Sequence, residues 1–194
     1  MKNKFNKMAA FLTALFGIIL IFTAVTSLTS KYWKNFYLSL IAIALLLFIF
    51  IIAYGLNKRK FILPPSFQLG SVIFIILALF FGEINNFYIK FWWWDLILHT
   101  MFGSGMVIVS IYLIKGIIRK EQDATQKRFV FFTAIFAFSI SIALGTMWEL
   151  FEFAGDYFFK TGMIKGGLED TFSDLFIKIL ASFISSTIYY QKNK

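Results

Sequence analysis

Long apolar runs limit what this chain can fold into more than any other feature. A helix that crosses a bilayer needs about 20 mainly apolar residues, and inside lipid its backbone polar groups must be satisfied within the segment. Runs at roughly 10–29, 35–56, 67–83, 95–118 and 129–153 meet that requirement. A sixth, roughly 171–190 (TFSDLFIKILASFISSTIYY), is weaker because Asp174 and Lys178 interrupt it. Those two stand one helical turn apart, so a pairing between them on one face is expected. No Pro-, Gly- or Ser-rich linker divides the chain. The expectation is therefore a single all-α domain over 1–194, an integral membrane helix bundle with six transmembrane helices. The first run has an apolar core longer than a signal peptide's and lacks a small-x-small cleavage site, so it is expected to stay as an anchor.

Charge sets the expected orientation. Lys2, Lys4, Lys7, Lys58, Arg59, Lys60, Lys115, Arg119, Lys120, Lys127, Arg128, Lys178, Lys192 and Lys194 fall on one side of a six-span path. Lys31, Lys34, Lys90, Lys160 and Lys165 fall on the other. The positive-inside rule then places both termini in the cytoplasm. The formal net charge of +9 is a topological signal, not a sign of nucleic-acid binding, because the basic residues lie mostly between the apolar runs. With no cysteine, disulfides, thiol nucleophiles and cysteine-ligated metals are excluded.

The acids run the other way. Glu121 and Asp123 lie in the connection assigned to the cytoplasm, whereas Glu83, Asp95, Glu149, Glu152, Asp156, Glu169, Asp170 and Asp174 lie at or near helix ends on the outer side. At about 100° per residue each group occupies one helix face. Asp95, His99 and Gly103 form one stripe, Glu149, Glu152 and Asp156 a second, and Asp170 and Asp174 a third. Ionisable groups within a span face the bundle interior or a water-filled cavity, because exposure to lipid is expensive. The three stripes are expected to meet in one outward-facing acidic pocket.

Carboxylates that close repel one another unless something positive stands among them. A bound cation, shared protons or basic side chains would serve. The basic candidates are few, namely Lys178, Lys160 and Lys165, so a divalent metal ion is the economical cofactor. The candidate ligands are Asp95, His99, Glu149, Glu152, Asp156, Asp170 and Asp174. One imidazole with carboxylates suits zinc, iron or manganese, and an oxygen-only subset suits magnesium or calcium. The candidate catalytic residues are Glu149 or Glu152 as general base and His99 as ligand or proton carrier. Plainer roles also exist: Asp95 as a helix cap, His99 as a hydrogen-bonded core residue, and Trp92, Trp93 and Trp94 as an interfacial aromatic belt.

Three blocks carry a family likeness: WWDLILHTMFGSG from Trp93, GTMWELFEFAGD from Gly145 and LEDTFSDL from Leu168. Together they resemble the YjdF-like inner-membrane proteins, a family of unknown function (DUF2238), over roughly residues 40–190. There is a fainter resemblance to VanZ-like membrane proteins. The resemblance implies a small multi-pass protein of the bacterial inner (cytoplasmic) membrane. It marks Asp95, His99, Trp148, Glu149, Glu152, Asp156, Asp170, Thr171 and Asp174 as positions that matter. This chain departs from both patterns in the last helix, where Lys178 and Ala181 replace an expected small polar residue and glycine.

Three functions follow from an acidic pocket at a membrane surface. The first is a metal-dependent enzyme acting on a lipid head group or envelope precursor. The second is a structural or regulatory protein whose cluster stabilises the bundle, and the third is a cation or proton carrier. A carrier requires a polar path to the opposite side; an enzyme requires room for substrate beside Glu149 and Glu152.

Overall fold

A computed structural model describes residues 6–59, 61–118, 120, 124–159 and 167–194. Regular structure among the described residues is entirely helical. Helices α1 (Lys7–Thr29) and α2 (Trp33–Lys58) are followed by α3 (Phe67–Ile75), which runs on as a π-helix over Ile76–Ile84. The short α4 (Phe87–Lys90) leads to α5 (Trp94–Ile117), α6 (Gln126–Phe159) and α7 (Leu168–Asn193). Six of these stretches, counting α3 with its π-helical continuation as one, are long and apolar enough to cross a membrane. The weak sixth run is among them as α7.

Helix α6 differs most from its expected bounds, running six residues past 153. Phe151, Phe153, Tyr157 and Phe158 keep its outer face apolar. Glu149, Glu152 and Asp156 therefore lie along one side of a continuing helix, not at its end.

The chain divides into two compact units, the first ending at Leu98 and the second beginning at His99. In the first, Asn6 caps α1: its side-chain oxygen accepts from the Met8 and Ala9 amides, both at 3.0 Å. The Asn6 amide in turn donates to Gln68 Oε1 at 2.8 Å, tying the start of α1 to α3. Ala9, Leu20, Ala42, Leu46, Val72 and Ile76 form the buried centre. Large side chains such as Ile18 and Phe22 point outward, the inverse of a water-soluble helix and the arrangement lipid requires. Trp92 and Trp93 are exposed as a belt would be, but Trp94 turns in against Phe87, ring centroids 4.8 Å apart.

The second unit is built on small and polar residues. Along α6 the buried positions Val130, Ala134, Ala137, Ser141, Gly145 and Glu149 recur every three or four residues. Along α7 they are Asp174, Lys178, Ala181, Ser182 and Ser186. Lipid gives no hydrophobic drive for helix association, so close backbone approach and interhelical hydrogen bonds take its place. Ser141 Oγ donates to the Gly103 carbonyl at 2.9 Å. A hydroxyl has one proton to give, so in the 2.9 Å contact between Ser141 and Ser182 it is Ser182 that donates. One serine thus joins α5, α6 and α7. Gly103 is required there, since a Cβ would lie 2.8 Å from the Lys178 carbonyl oxygen and 3.0 Å from Ser182 Oγ. Gly167 enters α7 at φ +66°, where a side chain would be strained.

Candidate metal centre

Helix α5 begins with Asp95 in its first turn, and His99 follows one turn later on the same buried stripe as Gly103 and Val107. The boundary between the two units falls inside this continuous helix, so Asp95 and His99 are held together by α5 itself. Asp174, in the second turn of α7, faces His99 with Oδ2 3.3 Å from Nε2. His99 and Asp174 are both buried and Asp95 is half-buried. One donor atom from each of Asp95, His99 and Asp174 lies within 4.8 Å of the other two, a set able to chelate a metal ion.

A second polar pair lies beside the first. Lys178, one turn after Asp174, donates to Glu149 Oε1 of α6. Only 2% of Lys178 and 5% of Glu149 is exposed, so the two charges offset one another out of water. Gly145, one turn before Glu149, lets the lysine through: a Cβ there would meet Lys178 Cδ at 3.1 Å. The aliphatic stem lies over the glycine and the ammonium reaches the carboxylate.

The pairing expected within α7 is therefore replaced by two pairings between helices, Asp174 with His99 and Lys178 with Glu149. Both α7 side chains lie on the buried face, and each finds its partner on a neighbouring helix rather than along its own surface. The departure at Lys178 and Ala181 still leaves α7 in close contact with α5, with Gly103 supplying the space.

The remaining candidates are placed differently. Glu152 is half-buried, accepts a hydrogen bond from the Trp148 indole, and lies within electrostatic reach of Glu149, His99 and Lys178. Asp156 and Asp170 are half-buried and each has an interaction of its own. Lys160 and Lys165, the other basic candidates, lie outside the described residues. Sequence reasoning missed Ser141 and Ser182. Their signal was available: both share the helix phase of the buried charges, Ser141 two turns before Glu149 and Ser182 one turn after Lys178.

Residues 8–194 match a family of predicted membrane proteins, DUF2238. The chain belongs to this family. As a DUF2238 member it is a multi-pass membrane protein, in keeping with a bacterial inner membrane and with its six spans. It is similar to an uncharacterized protein of Thermotoga maritima, with 29% identity over 136 residues. That alignment covers 70% of this chain and 64% of the relative, so the chain spans less than two thirds of the relative's length. No solved structure matches this DUF2238 protein.

Proposed function

We propose that Asp95, His99 and Asp174 hold a divalent metal ion, and that this DUF2238 protein uses it as an enzyme on a lipid head group or envelope precursor at the non-cytoplasmic face of the inner membrane. The observation that carries the metal is the convergence of three donors from two helices. Two bonds of about 2.0–2.1 Å at a tetrahedral angle place ligand atoms about 3.3 Å apart. The His99 Nε2 to Asp174 Oδ2 separation is 3.3 Å. One imidazole with two carboxylates suits zinc, iron or manganese, and three protein ligands leave a position for water or a substrate oxygen. Glu149 is occupied by Lys178, so Glu152 is the better general base.

The first test is elemental analysis of protein purified in mild detergent after equilibration with zinc, manganese or iron(II). About one metal ion per chain is expected, falling below about a tenth in His99→Ala and in Asp174→Asn. Glu152→Gln should keep the metal and lose turnover of any phospholipid or phosphoester substrate found by screening. Metal-free wild type under these conditions overturns the site. A structural reading has its own support, since Lys178–Glu149 is an ion pair between α7 and α6 and Asp174 stands 3.3 Å from His99 across α7 and α5. It is favoured if the variants lose their fold with no metal ever bound.

The outer placement of the centre is part of the same proposal and follows from the Lys and Arg distribution. The chain has no cysteine of its own, so single introduced ones report cleanly. Lys90→Cys should react with an impermeant maleimide in intact cells, and Lys127→Cys only after permeabilisation. The reverse pattern inverts the topology.

A further inference from the structure

At the end of the second unit away from the metal centre, the C-terminal turns of α5 and α7 enclose a cleft of about 580 Å³. That volume is in the range of small-molecule sites. Its walls are apolar, formed by Ile108, Ile111 and Ile188 with the ring of Tyr189, and its rim carries Lys115 and Lys192. Ile108 and Ile188 are more than two-fifths exposed, so the cleft opens sideways toward the lipid phase. Lys115 Nζ sits 4.9 Å from the Tyr189 ring centroid. A cation–π contact of this kind holds the ammonium at the rim without neutralising it.

We propose that this cleft binds an anionic phospholipid, with its phosphate between Lys115 and Lys192 and an acyl chain along Ile108, Ile111 and Ile188. Charge decides the occupant. The two helix C-termini contribute about half a negative charge each, against two full positive charges from the lysines. The mouth therefore remains cationic and favours a phosphate that keeps a net negative charge. An apolar wall ending in lysines at a helix terminus matches a lipid from acyl chain to head group. The Tyr189 hydroxyl is buried without a hydrogen-bond partner among the described residues. The site is independent of the metal centre and uses different residues.

The test is native mass spectrometry of the full chain in neutral detergent, titrated with phosphatidylglycerol or phosphatidylcholine. At roughly the stabilisation known for a lysine near an anionic surface, two lysines should give about thirtyfold tighter retention of phosphatidylglycerol. Lys115→Ala with Lys192→Ala should abolish the preference, and Lys115→Arg with Lys192→Arg should keep it. Lys127→Ala with Arg128→Ala removes the same charge outside the cleft and should leave it unchanged. Equal retention of the two lipids overturns the proposal. So does equal loss in the Lys127/Arg128 variant, which would show general surface charge, or a stoichiometric dimer that excludes lipid, which would make a second copy the occupant.

Discussion

Lys178→Met, with Glu149 left in place, is expected to destabilise the protein by about 3–5 kcal/mol, the usual cost of leaving a buried carboxylate without its partner. Both side chains are almost completely buried, so solvent offers little screening. The carboxylate must take up a proton, draw water into the seam between α6 and α7, or push the helices apart. Adding Glu149→Gln should restore most of the loss, because a neutral amide and a thioether are cheaper to bury than one isolated charge. Denaturant unfolding in detergent of the four proteins of the double-mutant cycle measures the difference. A loss below about 1 kcal/mol for Lys178→Met would mean that the pair sits in a hydrated cavity, where charge is cheap. The proposed metal centre supplies an independent readout. Because Asp174 is one turn from Lys178, the double variant should still bind metal if α7 keeps its rotation.

Gly103→Ala is expected to cost about 1–3 kcal/mol, the usual range for overpacking a close interface. The added methyl would meet the Lys178 carbonyl at 2.8 Å and Ser182 Oγ at 3.0 Å. The serine can rotate, but the carbonyl is held in the α7 backbone, so the helices must separate. Separation would also strain the link through Ser141, which bonds both Gly103 on α5 and Ser182 on α7, and move Asp174 away from His99. Weakened binding at the proposed metal centre should therefore accompany the stability loss. Gly105→Ala, two residues on, is the control: a Cβ there meets nothing within 4 Å. In mid-helix that change should be neutral or stabilising by up to about 1 kcal/mol. Equal effects at the two positions would mean that the α5–α7 approach is not set at Gly103.

Part of this architecture was legible because it depends on local properties. The spans follow from apolar length, and an error such as the early end expected for α6 arises where acids share a helix with phenylalanines. Hydropathy then falls although the helix continues, since one face stays apolar. Helix phase likewise placed Asp95, His99 and Gly103 on one stripe and Asp174 with Lys178 on another, because 100° per residue holds wherever the helix is regular.

Phase cannot tell which stripe meets which. Asp174 and Lys178 are one turn apart and opposite in charge, so spacing alone favours a pair between them. The fold sends Asp174 to His99 on α5 and Lys178 to Glu149 on α6. That choice depends on the axial register and rotation of α7 against its neighbours, set by contacts between residues tens of positions apart. Gly103 admits the α7 backbone, Gly145 the lysine stem, and Ser141 ties α5, α6 and α7 together. The sequence by itself determined six membrane-length helices and the faces that carry their charges, because apolar length and helical periodicity are properties of each segment alone. Only the tertiary structure decided that Asp95, His99 and Asp174 converge while Glu149 is held by Lys178. Helix register is a property of the packed interface, where a difference of one methyl group decides how near two backbones come.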